Sequence, residues 1–358
     1  MKIEELPRQD AVLAVDAMGA DGGVQTIVEG CARARANGLR AKLCLFGRES
    51  ELEAALARHD LSDCEIIHAD DVISMEEKPS RAVRKGRNSS MWAAIAAVKA
   101  GEAGGVVSSG NTGALMAMSV LQLRMIEGVD RPAITSTWPT RSGRTVVLDV
   151  GANVEATAEQ LVQFAIMGEA YYAALTGKEQ PTVGLLNVGE EELKGHDLIR
   201  RAAQVLREAD PDMDFRGFVE GDDITGGVVD VVVTDGFTGN IALKAAEGTA
   251  RMIGGWIREA LTANLRSKAG AALLAPALRE MKGKMNPSSS NGAPLLGLCG
   301  LVVKSHGGAD ADGVAAALQI TEDLAVHPFQ EQIRDTIAEV AERAQAVEED
   351  LETEQVPS

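Results

Sequence analysis

The stretch "GGVVSSGNTGALMAMS", residues 104–119, joins a short β-branched run to a helical pattern through a polar, glycine-broken turn. Continuous rather than alternating apolar character is typical of a strand that is covered on both faces. The first N–H groups of a helix carry partial positive charge, so a helix that starts directly after such a turn favours an anion there. The stretch therefore predicts one strand–turn–helix unit of an α/β fold, with an anion-binding turn.

The same unit recurs along the chain. Further apolar runs, each ending in glycine, polar or acidic residues, lie at 11–19, 42–47, 64–69, 144–153, 182–189 and 228–236. Helical patterns lie between or beside them, at 24–37, 49–58, 80–100, 114–127, 158–175 and 195–208. Repeated alternation of strands and helices predicts a Rossmann-like parallel or mixed sheet with helices on both faces.

The turns after the predicted strands share small and polar residues. They read "DAMG", "SSGNTG", "DVGAN", "NVGEEELKG", "VEGDDITGG", "TDGFTGN" and "KSHGG". A single glycine turn is usually there only to reverse the chain. Because open α/β sheets bind ligands at the carboxyl ends of their strands, we expect these seven turns to meet at one edge of the sheet and to form an active site.

Composition excludes several classes of protein. The 358 residues carry 35 basic and 53 acidic side chains, a net charge of −18, which would repel a nucleic-acid backbone. No apolar run approaches the roughly 18 residues of a membrane span, and the polar N-terminus lacks the apolar core of a secretory signal. Four isolated cysteines are typical of reduced, buried thiols. We therefore expect a cytoplasmic protein.

The domain organisation is predicted from changes in composition and periodicity along the chain. We expect an N-terminal extension (1–10), a single α/β catalytic domain (11–330), and a C-terminal helix with an acidic tail (331–358). Within the domain, the helix-rich segment 240–285 contains Pro276, which predicts two helices with a bend, in a protruding helical hairpin. Its apolar stretch 269–278 would suit internal packing, a dimer interface, a membrane-surface contact or an acyl-chain clamp.

Common catalytic motifs are missing from the sequence. It has no GxxxxGK[ST], GxGxxG, GxSxG or HExxH motif, and its five histidines are scattered. We therefore expect neither a metal nor a nucleotide cofactor.

Several ordered blocks together identify a family. They include "VDAMGAD" (15–21), "EEKPSRAVRKGRNSSM" (76–91), "SSGNTGALMA" (108–117), "GLLNVGEEELKG" (184–195), "DVVVTDGFTGNIALKAAEG" (230–248) and "VKSHGG" (303–308). Over roughly residues 11–325 the chain resembles the phosphate acyltransferases of bacterial phospholipid synthesis (the PlsX family). Ala20 departs from the family pattern, which usually has glycine at that position.

The resemblance implies a reaction and a setting. Members of this family transfer a long fatty acyl group from acyl carrier protein to inorganic phosphate, and the product is an acyl phosphate. The fold would resemble that of isocitrate and isopropylmalate dehydrogenases and of phosphotransacetylases. We expect a homodimer that touches the inner face of the membrane transiently and is functionally linked to the acyl-phosphate:glycerol-3-phosphate acyltransferase.

The residues suit this chemistry. Phosphate is already anionic and a thiolate leaves readily, so the enzyme needs mainly to position the reactants and to stabilise an oxyanion. We expect Lys194 to neutralise phosphate or oxyanion charge, and Asn240 to donate a hydrogen bond to the acyl oxygen. Asp16 and Asp235 would brace loops or orient Lys194 rather than act as bases, and His306 would either line the pocket or be a hydrogen-bonded structural residue. The predicted substrate-binding residues are Asp16, Gly19, Ser109, Gly110, Asn111, Thr112, Gly113, Asn153, Asn187, Gly189, Asp235, Gly236, Thr238, Gly239 and His306.

Two basic clusters are candidate docks for acyl carrier protein, which is strongly acidic. They are Arg81, Arg84, Lys85 and Arg87, and Arg266, Lys268, Arg279 and Lys282. Either could also be an ordinary solvated helix face, and the sequence does not choose between them. Alternative functions are a same-fold enzyme of other chemistry (a short-chain phosphotransacetylase or an NAD-dependent decarboxylating dehydrogenase) and a non-catalytic scaffold for acyl carrier protein.

Overall fold

The computed structural model describes residues 11–141, 143–209, 212–278, 291–327 and 329–354, and for 344–354 it describes the backbone alone. The expected extension 1–10, Arg279 and Lys282 therefore lie outside the described residues. The strands are β1 (Val12–Asp16), β2 (Lys42–Gly47), β3 (Glu65–His68), β4 (Gly105–Ser108), β5 (Ala133–Pro139), β6 (Arg144–Leu148), β7 (Thr182–Leu186), β8 (Asp214–Val219), β9 (Val231–Val233), β10 (Ala293–Leu296) and β11 (Leu301–Lys304).

Helices surround the sheet that these strands form. They are α1 (Gly23–Ala36), α2 (Glu49–Leu56), α3 (Pro79–Lys85), α4 (Ser90–Lys99), α5 (Thr112–Leu123), α6 (Ala158–Thr176), α7 (Asp197–Ala209), α8 (Asp223–Gly226), α9 (Gly236–Thr262), α10 (Leu265–Leu273), α11 (Ala311–Ala325) and α12 (Phe329–Glu354).

Both faces of the sheet are buried. In β1, Leu13 and Val15 belong to one apolar cluster, with α1, α2, α6, α7, α11 and α12, whereas Ala14 belongs to a second, with α3, α4 and α5. Strands covered on both faces need apolar residues at successive positions, which explains the continuous runs in the sequence. The predicted α/β fold with helices on both faces is confirmed.

Strand direction divides the sheet into two blocks. The order is β3-β2-β1-β4-β11-β10-β5-β6-β9-β7-β8. Strands β1–β4 and β11 are parallel to one another, and so are β6–β9. Between the blocks, β11–β10, β10–β5 and β5–β6 all pair antiparallel. Three successive reversals make the two blocks run in opposite directions.

Because the two blocks run in opposite directions, the expectation that all seven turns share one edge of the sheet is wrong. The carboxyl ends of β1, β4 and β11 lie at one edge of the sheet, here called edge A. Those of β6, β7, β8 and β9 lie at the opposite edge, here called edge B. The expectation failed because β10, a four-residue antiparallel strand, is not among the apolar runs that predicted the sheet.

Two helix boundaries also differ from the sequence prediction. The pattern over 80–100 is two helices: Gly86 caps the C-terminus of α3, and Ser89 caps a new helix by accepting a hydrogen bond from the Trp92 amide. The helix-rich segment breaks at Asn264, which caps α10 through the Ser267 amide, rather than first at Pro276. The C-terminal helix is present as α12 and packs its first apolar residues into the core.

Candidate active site

At edge A, a buried carboxylate fixes two loops. Asp16, at the end of β1, accepts hydrogen bonds from the hydroxyls of Ser90 and Ser108, each at 2.6 Å. A Cβ at Gly19 would lie only 2.7 Å from the Gly110 nitrogen, so the loops after β1 and β4 can come this close because residue 19 is a glycine. Burial raises the pKa of Asp16, against the effect of the two hydroxyl donors. Asp16 therefore acts as a brace between the loops.

Asn111 fastens the next segment to this edge. Its Oδ1 accepts a hydrogen bond from the Ala114 amide at 3.0 Å and thereby caps α5. Its Nδ2 donates to the backbone carbonyls of three residues in the preceding loop: Ser74, Met75 and Glu77. These contacts occupy both the donor and the acceptor of the side-chain amide. An anion in this turn would therefore bind to other groups.

Those other groups are close by. Thr112 and Gly113 are the first two residues of α5, where backbone N–H groups have no acceptor within the helix. The Ser109 hydroxyl is buried and has no hydrogen-bond partner among the described residues. Such donors at a helix N-terminus can hold a phosphate. We call Ser109, Thr112 and Gly113 the edge A cradle.

Lys304 belongs to this edge and sequence reasoning missed it. It closes β11, is only 8% exposed, and donates from Nζ to the backbone carbonyls of Ser109, at 3.3 Å, and Ser305. Burial lowers the pKa of Lys304 to about 8, while Asp16 and Asp21 favour its charged form. A lysine that ends an apolar strand directly before a glycine loop was the available signal.

His306 follows on the surface of the same loop. Its Nδ1 accepts a hydrogen bond from the Gly308 amide at 3.1 Å, and its own amide donates to Asn291 Oδ1 at 3.0 Å. Because Nδ1 accepts, the neutral ring carries its proton on Nε2. His306 therefore has one donor available for a ligand beside the cradle.

At edge B, a second buried carboxylate organises the loop after β6. Asp149 accepts hydrogen bonds from the backbone amides of Ile134, Gly151, Ala152 and Asn153. The Asn153 side chain also donates to Asp149, at 3.0 Å, and to the Pro132 carbonyl. Burial raises the pKa of Asp149, against the backbone donors. The loop is thereby held rigidly.

Helix α9 begins against this loop. The Gly236 amide donates to the Asn153 carbonyl at 2.8 Å, and a Cβ at Gly239 would overlap the Asp149 carbonyl oxygen. Asp235 caps the helix by accepting hydrogen bonds from the amide and the hydroxyl of Thr238, both at 2.8 Å. Asp235 and Thr238 are thus engaged in the structure of the turn.

Asn240 is exposed on the first turn of α9. A Cβ at Gly151 would lie 3.7 Å from its Cβ, so Asn240 stands beside the loop after β6.

Lys194 lies on the loop after β7. Asn187 holds that loop by donating from Nδ2 to the carbonyls of Gly189 and Lys194, both at 3.1 Å. The Lys194 ammonium pairs with Glu191 at 2.7 Å and its side chain is half exposed. The hydrogen bond to Glu191 raises the pKa of Lys194, so the side chain remains cationic. Because β7 and β9 are neighbours, Lys194 and Asn240 follow adjacent strands at edge B.

The structure thus separates the predicted site residues into two groups. Edge A carries Asp16, Gly19, Ser109, Gly110, Asn111, Thr112, Gly113 and His306. Edge B carries Asn153, Asn187, Gly189, Lys194, Asp235, Gly236, Thr238, Gly239 and Asn240. Within the described ranges, no group of three or more His, Cys, Asp or Glu side chains could hold a metal ion. No helix in the same ranges is long and apolar enough to cross a membrane.

Comparison with known proteins assigns the chain to a family. Residues 11–332 match the family model described as "Fatty acid synthesis protein". The chain belongs to this family. It is 55% identical over 327 residues to a phosphate acyltransferase of Maricaulis maris, with 90% of this chain and 93% of the relative covered. A phosphate acyltransferase of Caulobacter vibrioides is 50% identical over 341 residues, with 95% of each chain covered. The resemblance found in the sequence is confirmed, and the protein is an acyltransferase.

Solved structures agree in fold. A phosphotransacetylase from Streptococcus pyogenes superposes with a TM-score of 0.62 at 18% identity, over 89% of this chain and 94% of the other. The EutD phosphotransacetylase from Staphylococcus aureus gives 0.60 at 14% identity, over 89% and 96%. At these identities the likeness shows the fold alone, and it confirms the expected similarity to phosphotransacetylases.

The contact between α9 and the Asp149 loop can be tested with one methyl group. We expect Gly239→Ala to destabilise the fold by about 1–3 kcal/mol, because its Cβ would displace the Asp149 carbonyl. The matched control is Gly248→Ala on the same helix, where a Cβ meets nothing within 4 Å and should stabilise by about 0.5–1 kcal/mol. Chemical denaturation of both variants measures the difference. Equal stabilities would contradict the tight packing at Gly239.

Proposed function

We propose that the protein transfers a long-chain fatty acyl group from acyl carrier protein to inorganic phosphate, forming an acyl phosphate for phospholipid synthesis. The observation that carries this proposal is agreement over nine-tenths of the chain with relatives named phosphate acyltransferase. Edge A supports it with a place for phosphate, and edge B with donors for an acyl oxygen. The product would pass to the acyl-phosphate:glycerol-3-phosphate acyltransferase.

Phosphate would bind in the edge A cradle. The amides of Thr112 and Gly113 and the hydroxyl of Ser109 would donate to its oxygens, and the Lys304 ammonium behind Ser109 would add positive potential. Phosphate carries negative charge at neutral pH and attacks without a general base. This suits edge A, where the exposed His306 offers a hydrogen-bond donor.

The acyl group would be activated at edge B of one chain, next to phosphate held at edge A of its partner in the expected homodimer. A phosphate oxygen attacks the thioester carbon and forms the new C–O bond, so the carbonyl oxygen becomes an oxyanion. Asn240 would donate a hydrogen bond to that oxyanion and Lys194 would neutralise its charge. When the intermediate collapses, the C–S bond breaks and its electron pair leaves on sulfur as the thiolate of acyl carrier protein. The acyl phosphate is then released.

Turnover tests the proposal against its rivals. Incubated with palmitoyl-acyl carrier protein and labelled phosphate, the protein should form a hydroxylamine-sensitive labelled lipid. We expect Lys194→Ala to lower the rate about 100-fold, because an oxyanion loses its counter-charge. Lys178→Ala is the matched control: Lys178 is also half exposed and pairs with Asp230, but before β7 rather than after it.

Each rival predicts another result. Turnover with acetyl-coenzyme A alone would indicate a short-chain phosphotransacetylase, and dependence on NAD would indicate a dehydrogenase. Stoichiometric binding of the acyl carrier protein without turnover would indicate a scaffold. A Lys194→Ala variant as fast as the parent would remove Lys194 from the mechanism.

The basic cluster on and after α3 is the better dock for acyl carrier protein. Helix α3 packs against α5. Pro79, at the start of α3, lies so close to Gly113 that a Cβ on Gly113 would be 2.8 Å from the Pro79 Cγ. The cluster therefore borders the cradle. Its members Arg81, Arg84, Lys85 and Arg87 are exposed. Their field would attract an acidic protein that the net charge of −18 otherwise repels.

Charge reversal tests this dock. We expect Arg81→Glu with Arg84→Glu to raise the KM for acyl-acyl carrier protein about 10-fold at low salt, and less at high salt because ions screen the attraction. The rival cluster supplies the control, Arg266→Glu with Lys268→Glu. A larger KM effect for the control pair would place the dock on α10 instead.

Helix α10 carries exposed leucines suited to a membrane surface. Leu265 at the start of α10 and Leu273 at its end are each 85% exposed, and Leu274 directly after it is 54% exposed. Together with Arg266 and Lys268 on the same helix, we call them the α10 tip. Apolar residues beside cations are typical of helices that bind anionic lipid. We propose that this tip touches the inner face of the cytoplasmic membrane and delivers the insoluble product there.

Vesicle binding measures this contact. Leu273→Asp with Leu274→Asp should abolish co-sedimentation with anionic vesicles, because burying a carboxylate in lipid is unfavourable. Leu198→Asp, at an exposed leucine on α7, should leave co-sedimentation unchanged. Full binding by the α10 double variant would rule out the tip as the contact.

A further inference from the structure

We infer that Arg200 is a positioning residue for acyl transfer, because it holds the backbone on both sides of Lys194. The inference rests on the proposed function, in which the Lys194 ammonium neutralises the charge of the acyl oxyanion. Arg200 acts through Lys194 rather than on the substrates themselves.

The loop that carries Lys194 is not anchored by buried apolar side chains. We call residues 188–195 the Lys194 loop. Residues 190–194 are all exposed, and the two large apolar side chains of the loop, Val188 and Leu193, are 78% and 89% exposed. Burial of side chains therefore does not offset the conformational entropy that the loop loses when it is ordered. The position of Lys194 depends instead on hydrogen bonds to the loop.

Arg200, near the start of α7, supplies two of these hydrogen bonds. Its Nη1 donates to the backbone carbonyl of Leu193 at 3.1 Å and to that of Gly195 at 3.2 Å. These are the residues directly before and after Lys194. Asn187 donates to the carbonyl of Lys194 itself, so two side chains hold three consecutive carbonyls.

The position of Arg200 on its helix is explained by the loop rather than by the helix. The N-terminus of a helix carries partial positive charge, so a cation near the start of α7 does not stabilise it. Asp197 offsets this effect by accepting a hydrogen bond from Nη2 of Arg200, and the same contact orients the guanidinium group. What an arginine adds at this position is the pair of contacts to the Lys194 loop.

A second arginine on α7 holds the middle of the loop. Arg207 donates two hydrogen bonds to the Glu192 carboxylate, at 2.8 and 3.0 Å, and its guanidinium lies 5.5 Å from the centre of the Phe215 ring. Paired hydrogen bonds between a guanidinium and a carboxylate fix direction as well as distance. The Lys194 loop is thereby bound to α7 at two places, and the contact made by Arg200 is the one next to the lysine.

The side chain of Lys194 keeps its freedom to move on this fixed backbone. It lies across Gly189, where a Cβ would be 2.9 Å from Lys194 Nζ, and its ammonium pairs with Glu191 at 2.7 Å. Because an exposed ion pair contributes little free energy, the ammonium can leave Glu191 for an oxyanion. While Arg200 holds the backbone, that exchange needs only rotation of the side chain.

Steady-state kinetics test the role of Arg200. Arg200→Met keeps an unbranched stem and removes the donors. We expect it to lower kcat about 10-fold, because displacing a group by about 1 Å can cost on the order of 100-fold in rate. The KM for phosphate should change by less than about 2-fold, because the edge A cradle is untouched.

A double-mutant cycle separates positioning from a merely structural role. If Arg200 acts through Lys194, Arg200→Met should cause no further loss of kcat in the Lys194→Ala background. An equal loss in both backgrounds, or no loss in either, would overturn the inference. Arg200→Lys keeps the charge and a donor and should lose less than Arg200→Met. The control Arg216→Met removes an exposed arginine that pairs with Asp214, and it should match the parent.

Hydrogen exchange measures the same contact without activity. The Lys194 amide donates to the Glu191 carbonyl at 2.9 Å. In Arg200→Met we expect this amide to exchange about 10-fold faster, because the loop opens locally more often. The melting temperature should stay within about 4 °C of the parent. Unchanged exchange would show that Arg200 does not hold the loop and would overturn the inference.

The same measurements distinguish failure of the inference from failure of the proposed function. A slow Lys194→Ala variant beside a fully active Arg200→Met variant would refute the inference alone. A parent chain without turnover, or a Lys194→Ala variant as fast as the parent, would refute the proposed function and with it the role of Arg200.

Discussion

The reversal of strand direction in the middle of the sheet determines the edge at which each candidate functional loop lies. Strand β10 is four residues long, yet its antiparallel pairing on both sides turns two parallel blocks against each other. Parallel strands concentrate their functional loops at their carboxyl ends. Two opposed blocks therefore place the predicted site residues of one chain at two edges, and the proposed chemistry draws on both.

Each edge is organised by a buried carboxylate that is not itself in a position to react. Asp16 receives two hydroxyl donors and Asp149 receives four amides. Both are held within glycine loops, where a single Cβ would meet backbone atoms. Without these donors, burying either carboxylate away from water would destabilise the folded state. The same hydrogen bonds therefore stabilise the buried carboxylates and fix the conformations of the loops.

Much of the fold could be predicted from the sequence, and the features of the candidate site that could not be predicted were missed for physical reasons. Continuous apolar runs gave the strands, and ordered blocks such as "SSGNTGALMA" gave the family. The pairing partner of a strand depends on tertiary contacts, so the short run at 293–296 gave no sign that β10 reverses the sheet. Lys304 was passed over because burial, which sets its pKa, is absent from a sequence. Asn111 was expected to bind substrate, whereas its neighbours in space, 34 to 37 residues earlier, take up its amide.

That amide has a consequence for how the protein handles its substrates. Asn111 links the first turn of α5 to the loop that leads into α3, so the proposed phosphate cradle and the proposed docking surface for acyl carrier protein form one preassembled body. Conformational entropy at this corner is lost once, when the chain folds, and not again in every catalytic cycle. In the proposed reaction, such a preassembled corner would not need to reorganise whichever substrate arrived first.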